Sequence, residues 1–203
     1  MSVTIAEYVA AIPGTMLARF AGERPWVVTA SLADILTDLL NDLPDSYVLD
    51  GDAAIHETAT VERGAVLKGP AIIGPRAFVA ASAYLRGGVF LDAGCVVGPG
   101  CEAKSTVLFA GSRIAHLGFV GDSILGADVN CEAGSVVANH RNERADKRIR
   151  IRHAGGVIDT GVERFGAILG DGARLGANAV VAPGALLAPG TVVARLALVD
   201  QSP

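Results

Sequence analysis

Residues 55–97 read IHETATVERGAVLKGPAIIGPRAFVAASAYLRGGVFLDAGCVV, and every sixth residue of this stretch, starting at Ile55, is Ile, Leu or Val. The series comprises Ile55, Val61, Leu67, Ile73, Val79, Leu85, Leu91 and Val97. A small or compact residue stands two positions before each later member: Ala59, Ala65, Ala71, Ala77, Ala83, Val89 and Cys95. Self-similarity at a fixed period is the signature of a repeat architecture. This stretch therefore predicts the fold of most of the chain.

The same pattern returns near the C-terminus, at Leu169, Leu175, Val181, Leu187 and Val193. Gly or Pro-Gly recurs between members, in IGPR, VGPG, VAPG and LAPG, which suits short strands that turn at regular corners. One coil of such strands cannot bury its inward side chains alone, so coils stack into a solenoid. We predict an all-β solenoid, a parallel β-helix of hexapeptide repeats, over residues 51–203.

Two shorter series lie between these blocks, and each is one residue out of phase with the series before it. They are Leu108, Ile114 and Val120, then Leu125, Cys131 and Val137. Because a local irregularity costs less than abandoning the stacked core, we interpret the slips as bulges or short excursions in one continuous array.

The first fifty residues lack the repeat. The segment SLADILTDLLNDLP (31–44) predicts an amphipathic helix, with Ser31 as the N-cap and Pro44 as the stop. A solenoid exposes the apolar end of its first coil, so we expect residues 1–50 to form a helical cap on that end. Docking of a partner is the alternative role.

The composition excludes several classes of protein. The net charge of −4 disfavours nucleic acid as a partner. The uncharged run 175–194 contains two prolines and three glycines, which a membrane-spanning helix would not carry so densely. No secretory signal pattern stands at the N-terminus, so we expect a cytoplasmic protein. The three cysteines lack the spacing of metal or redox motifs, which favours buried apolar roles.

Three further motifs carry a resemblance to a known family. They are AHLGFVGDS (115–123), ADVNCEAGSVVANHR (127–141) and FGAILGDGARLGANAVVAPGALLAPG (165–190). Together, over roughly residues 50–195, they resemble the acetyltransferase domain of bifunctional sugar-1-phosphate nucleotidylyltransferase/acetyltransferases. The similarity is to the archaeal-type enzymes and, more distantly, to bacterial N-acetylglucosamine-1-phosphate uridyltransferase. No glycine-rich phosphate-binding signature precedes the helix, so we do not expect nucleotidyl transfer.

The resemblance implies a left-handed β-helix, a homotrimer, and acetyl-CoA as co-substrate in a cleft between protomers. It implies His116 as the general base, with Asn139 beside it in the catalytic centre. The matching substrate positions are Arg86 and Lys104, for a sugar phosphate, and Asn130. Backbone around Ala133 and Ala167 would line the coenzyme groove. Phe119 stands where the family has a tyrosine, so a hydroxyl is missing there.

The chemistry of amide formation agrees with a histidine at this position. An amine attacks a thioester only when it is unprotonated, and a primary amine near pH 7 is mostly an ammonium ion. Histidine has an ordinary pKa near 6.5 and accepts such a proton at working pH. General-base help of this kind is worth about a hundredfold to ten-thousandfold in rate.

A charged stretch interrupts the repeat after Asn139. It holds six of the 17 basic residues: Arg141, Arg144, Lys147, Arg148, Arg150 and Arg152. Alternation in RIRIR (148–152) indicates a strand, so we predict an arm over about 140–164 that contains a hairpin turned by HAGG (153–156). We assign Arg144 and Lys147 to the coenzyme and Arg148 to the acceptor, because both ligands are anionic. A solvated loop is the alternative.

The function that follows is acetyl-CoA-dependent N-acetylation of an amino sugar phosphate or a nucleotide sugar. O-acetylation of a sugar or small molecule is one alternative, and an inactive trimeric scaffold or sensor is another. Zinc carbonic anhydrases share this fold but need three converging histidines. The four histidines here, His56, His116, His140 and His153, include no close ligand pair. We expect no metal.

Overall fold

The computed structural model describes residues 3–203 of the chain. Three flat faces of parallel strands form a solenoid. Strands are numbered along the chain, and the first, β1 (Tyr47–Asp50), pairs antiparallel with β2 (Ala53–His56). Face 1 continues from β2 and face 2 begins at β3 (Thr60–Val61), while face 3 begins at β4 (Val66–Lys68). The prediction of a hexapeptide-repeat β-helix is confirmed.

The remaining strands add one rung at a time to each face. Face 1 contains β5 (Ala71–Ile73), the second halves of β7 (Tyr84–Leu91) and β9 (Glu102–Leu108), β12 (Ile124–Leu125), β17 (Ala167–Leu169) and β20 (Ala185–Leu187). Face 2 contains β6 (Phe78–Val79), β8 (Val96–Val97), β10 (Arg113–Ile114), β13 (Asn130–Cys131), β18 (Arg174–Leu175) and β21 (Val192–Val193). Face 3 contains the first halves of β7 and β9, β11 (Phe119–Gly121), β14 (Val136–Val137), β19 (Val180–Val181) and β22 (Leu198–Val199).

The inward positions of the six-residue period form the core of the solenoid. Ile73, Val79 and Leu91 are fully buried, and the cysteines Cys95 and Cys131 occupy equivalent inward positions. Burial raises the pKa of both thiols to about 12, which keeps them protonated at neutral pH. The cysteines therefore pack as small apolar side chains.

The phase slips in the sequence are shortened coils. Register partners are 17 residues apart between Phe90 and Val107, and again between Val107 and Ile124, whereas earlier coils have 18 residues. The missing residue belongs to the corner between face 3 and face 1, which we call corner 3/1. Two glycines, 87–88, turn this corner in one coil, and Ser105 alone turns it in the next.

The helices of the N-terminal segment cover a side of the solenoid, while β1 lies at its end, beside the first coil. It contains 3-10 helices at Ile5–Glu7, Ile12–Gly14 and Ala18–Phe20, then α1 (Pro25–Ala30) and α2 (Leu32–Leu40). Its apolar side chains share one cluster with the outward side chains of face 1: Ile72, Phe90, Val107, Ile124, Ile168 and Leu186. The helices therefore do not cap the first coil as expected, and only β1 lies at that end. Large apolar side chains on the outside of face 1 would be exposed to water without the helices, so their burial favours this position. Inward Val61 and Leu67 of the first coil stay half-buried.

Helix α2 lies where the sequence predicts it, with its apolar residues Leu32, Ile35 and Leu36 buried. Ser31 occupies the N-cap position, but its side chain makes no capping hydrogen bond. The helix ends at Leu40, before Pro44, so the proline follows the end of the helix and does not set it.

The long insertion leaves the solenoid after β14 and returns at β17, at corner 3/1. It contains the predicted hairpin, β15 (Arg150–His153) paired antiparallel with β16 (Gly156–Asp159). Ile149 and Ile151 are fully buried against the solenoid, and a Cβ on Gly184 would stand 2.8 Å from Ile149 and 3.1 Å from Ile151. The hairpin thus packs on the solenoid through its apolar side.

Within residues 3–203, no helix is both long enough and apolar enough to cross a lipid bilayer.

Candidate active site

Corner 3/1 brings two of the predicted site residues onto one carboxylate. The Lys104 Nζ lies 2.8 Å from each carboxylate oxygen of Asp122, and the Asn139 Nδ2 donates a hydrogen bond to the same group. The side chain of Asp122 is 6% exposed and that of Lys104 is 17% exposed. Asp122 is thus the shared partner of Lys104 and Asn139, and the sequence prediction missed it, although it lies inside the AHLGFVGDS motif.

The shortened corner explains how these side chains meet. Ser105 and Asp122 each turn corner 3/1 as a single residue, with φ of 47° and 45°. This left-handed region is costly for most residues, and Asp is among those that tolerate it. Gly121 precedes Asp122, and a Cβ at Gly121 would lie 2.7 Å from the Asn139 amide. The corner therefore needs glycine there for Asn139 to reach Asp122.

Face 3 carries the other predicted substrate residues in adjacent rungs. Arg86 and Lys104 are register partners, and Phe119 stands opposite Glu102. The guanidinium of Arg86 binds Glu102, with Nε 2.7 Å and Nη2 2.6 Å from the Oε1 atom. Both cations predicted to bind a phosphate, Arg86 and Lys104, therefore already have a carboxylate partner.

His116 lies at the opposite edge of face 3, at the corner that follows β10. The residue is exposed, and its ring makes no hydrogen bond with any residue between 3 and 203. Its carbonyl accepts a hydrogen bond from the Gly134 N–H at 2.8 Å. The ring of Phe119 reaches across face 3, because its Cζ would lie 2.8 Å from a Cβ at Gly121. An unengaged imidazole thus borders the face that carries Arg86, Lys104 and Phe119.

Asn130 does not join these residues within one chain. It lies exposed on face 2, between its register partners Arg113 and Arg174. Since face 2 and face 3 look outward in different directions, Asn130 and Lys104 cannot both contact one small molecule on face 3 of the same chain.

The two predicted coenzyme positions on the solenoid differ in accessibility. Ala133 is exposed, one coil beyond His116 along the same corner. Ala167 is fully buried in the core, and its N–H donates to the Ser123 Oγ at 3.0 Å. The backbone N–H of Ala167 is therefore occupied within the chain, and the predicted coenzyme contact would have to come from neighbouring backbone.

The cations of the insertion have partners within the chain, which argues against their predicted role as ligand contacts. Arg144 donates to the Ser202 Oγ at 2.8 Å and Lys147 donates to the Asn142 carbonyl at 2.9 Å. Arg148 lies 3.3 Å from Asp159. Arg150 bonds Asp146 at 2.9 Å. Most of this charge pairs inside the insertion or ties it to the C-terminus.

A cleft of about 470 Å³ opens at corner 3/1, beside the Lys104–Asp122 pair. Its walls come from the N-terminal helices, the shortened corner and the end of the insertion. The main contributors are Ala30, Ala33, Lys104, Ser105, Asp122 and Arg164. This volume is in the range of small-molecule sites in proteins.

Nothing in residues 3–203 forms a group of three or more His, Cys, Asp or Glu side chains arranged to hold a metal. His140 and His56, two of the four histidines, use their Nδ1 atoms within the chain, toward Glu163 and Thr58.

Sequence comparison confirms the predicted resemblance. The chain is 32% identical over 140 residues to the bifunctional sugar-1-phosphate nucleotidylyltransferase/acetyltransferase of Sulfurisphaera tokodaii, a match that covers 69% of this chain and 34% of the relative. It is 30% identical over 155 residues to the bifunctional protein GlmU of Methanocaldococcus jannaschii, which covers 74% of this chain and 37% of that protein. The chain thus spans about a third of the length of these curated relatives. No protein-family model matches it.

Among solved structures, a hexapeptide transferase family protein from Anaplasma phagocytophilum aligns with a TM-score of 0.39 and 21% identity, over 71% of this chain and 70% of that one. The fold and the corner motifs define the chain as a hexapeptide-repeat β-solenoid protein. In sequence it is related to the bifunctional sugar-1-phosphate nucleotidylyltransferase/acetyltransferases.

Proposed function

We propose that this protein transfers the acetyl group of acetyl-CoA to the amino group of a sugar phosphate or nucleotide sugar, with His116 as the general base. The observation that carries the proposal is the exposed, unengaged imidazole of His116 at the edge of the face that bears Arg86, Lys104 and Phe119. The relationship to an acetyltransferase of the sugar-1-phosphate class supports it.

The reaction needs one proton acceptor and one leaving thiolate. The acceptor nitrogen attacks the thioester carbonyl carbon as His116 removes its proton, which forms the C–N bond. The C–S bond then breaks, and the coenzyme A thiolate takes a proton from the imidazolium. A backbone N–H at a solenoid corner would stabilise the negative charge that develops on the carbonyl oxygen. Exposed Ala133, beside His116, is a candidate wall for the coenzyme.

The proposal includes a homotrimer in which adjacent copies share each site. Asn130 lies on face 2 and Lys104 lies on face 3 of the same chain, so a centre that uses both needs two chains. A cyclic assembly that places face 2 of one chain near face 3 of the next would supply Asn130 from the partner.

Thiol release from acetyl-CoA, measured with a panel of amino sugar phosphates, amino sugars and neutral sugars, tests the reaction. His116→Ala should lower kcat/KM by about a hundredfold to ten-thousandfold, because only the general base is removed. His56→Ala is the matched control. That histidine lies in the first coil, far from His116 in the sequence, and its ring contacts Thr58, so the variant should retain activity.

Three results would contradict the proposal. Absence of turnover with every acceptor would favour the scaffold or sensor. Release that requires a hydroxyl and no amine would favour O-acetylation. Equal activity of His116→Ala and wild type would remove the assigned base.

A further inference from the structure

The cleft at corner 3/1 contains a cation without a partner in the described chain. Lys104 and Arg86, the two cations predicted to meet a phosphate, are bound to Asp122 and Glu102. Arg164 lines the same cleft as Lys104, and its side chain makes no hydrogen bond or ion pair with any residue from 3 to 203. A guanidinium at the wall of a cleft recognises phosphate or carboxylate groups well, because its donors match their oxygens.

The backbone that carries Arg164 is held in place. The next residue, Phe165, is fully buried, and its ring packs edge-on against Trp26 of α1 at 5.7 Å between centroids. The Phe165 N–H donates to the Asn139 carbonyl at 3.1 Å, and the Gly166 N–H donates to the Asp122 carbonyl at 2.9 Å. A side chain on a fixed backbone loses less freedom when it binds a ligand than one on a free loop.

The charges around the cleft limit what it can hold. Asp122 and Lys104 neutralise each other at its floor, and Arg164 and Glu163 add one charge of each sign at its rim. Glu163 has no side-chain partner within residues 3–203, so it repels an anion that approaches Arg164. Such a balance suits a small ligand with a single anionic group and disfavours a polyanion.

We infer that Arg164 binds the anionic group of a small molecule in this cleft, with Ala30 and Ala33 of the N-terminal segment as the opposite wall. The inference rests on the proposed function only for naming this molecule as the acetyl acceptor, and of the two acceptors proposed there the charge balance favours the sugar phosphate over the nucleotide sugar. It assigns recognition of the anion to Arg164, while Asp122 keeps Lys104 and Asn139 in position.

Isothermal titration of the full chain without acetyl-CoA tests the binding directly, with inorganic phosphate in one arm and acetate in the other. Arg164→Gln should weaken binding of the preferred anion by about tenfold to a hundredfold, the usual worth of a charged hydrogen bond. Glu163→Gln should strengthen it by about two- to fivefold, because a like charge is removed. Arg150→Gln, a control from the same insertion whose side chain pairs with Asp146, should change it less than about twofold.

Three outcomes would overturn the inference. Wild-type protein that binds neither anion has no such site. Equal losses in Arg164→Gln and Arg150→Gln would show diffuse attraction, and a loss in Lys104→Gln alone would return the role to Lys104. Thiol release is measured on the same variants, so anion binding that depends on Arg164 without any acetyl transfer would keep this site and reject the proposed reaction.

Discussion

Arg141 fastens the start of the insertion to the last coil of the solenoid. Arg141 is 3% exposed. Its guanidinium donates to both carboxylate oxygens of Asp200, at 2.8 and 3.1 Å, and to the Pro183 carbonyl at 2.8 Å. The hydrogen bonds from Arg141 hold the pKa of Asp200 well below its ordinary range. A pair of this kind is structural, because the cation has no surface left for a ligand.

Replacement of Asp200 should reveal this pair through its pH dependence. A carboxyl group whose pKa is lower in the folded state stabilises the fold above the unfolded pKa, and this stabilisation is lost as the pH falls toward the folded pKa. Asp200→Asn should therefore lower the melting temperature at pH 7, and its deficit relative to wild type should shrink between about pH 5 and pH 3. Thermal melts at these pH values measure the difference, and a deficit that does not change with pH would contradict it.

Some residues of the candidate site could be predicted from the sequence, and others could not. The sequence identified Lys104 and Asn139 through motifs, and both reach corner 3/1. Asp122 was missed because an acidic residue after a glycine looks like an ordinary turn residue. The partner of Arg141 was beyond prediction, since 59 positions separate it from Asp200 and only the coil spacing brings them together.

Close stacking of the coils depends on the absence of a side chain at particular corners. A Cβ on Gly98 would stand directly against the carbonyl oxygen of Ala115 in the next coil, and 2.7 Å from its carbonyl carbon. Gly94, in the same coil, has φ of +68° but open space around the position of a Cβ. Substitution of Gly98 therefore measures the cost of a steric clash, and substitution of Gly94 measures the cost of a left-handed backbone conformation.

Gly98→Ala should therefore lower the free energy of unfolding by about 3 kcal/mol or more, because backbone cannot retreat as a flexible side chain does. Gly94→Ala should lower it by only about 1 to 2 kcal/mol, the cost of left-handed backbone for a residue with a Cβ. Urea denaturation of both variants measures these values. Equal effects would mean that the coils move apart without penalty.

The six-residue period predicted the coils well, because every inward position must hold an apolar side chain that packs into the same core. It did not distinguish a shortened corner from an inserted segment, because a loss of one residue and a gain of five shift a period of six by the same amount. The cover on face 1 was also hidden: the outward residues Ile72, Phe90 and Val107 recur only once per coil and lie outside the six-residue series. Secondary structure was therefore predictable where it repeats, and packing between unlike segments was not.

Across the whole molecule, the three faces have different surroundings. Face 1 is covered by the N-terminal segment, whereas faces 2 and 3 keep exposed apolar residues such as Val192 on face 2 and Leu198 on face 3. These uncovered faces carry Asn130 and, at the edge of face 3, His116. Covering by other copies of the chain would bury those apolar residues and, in the proposed trimer, place Asn130 of one chain beside face 3 of the next.

Mixed assemblies of two inactive variants test this arrangement. If His116 of one chain works with Asn130 of the next, mixed trimers of His116→Ala and Asn130→Ala chains should recover up to about a third of wild-type activity, because each mixed ring of three contains one intact pair among its three interfaces. Each variant alone should show little activity. Thiol release from assemblies isolated by two different tags measures the recovery.

The matched control combines His116→Ala with Lys104→Ala. Both residues belong to face 3 of one chain, so no mixture of these variants contains an intact set on that face. Recovery in this control equal to that of the first pair, or no recovery in the first pair, would contradict a site shared between faces 2 and 3.

The insertion at corner 3/1 also bears on the entropy of folding. Ile124 of β12 pairs with Ile168 of β17, so 44 residues separate register partners across this coil, whereas partners across the other coils are 17 or 18 residues apart. Since closure entropy grows only with the logarithm of loop length, the longer loop costs about 0.8 kcal/mol more to close than an ordinary coil. Burial of Ile149 and Ile151 returns about 1.5 to 3 kcal/mol for each side chain. A solenoid can therefore acquire a long attachment at one corner while the rungs on both sides stay in register.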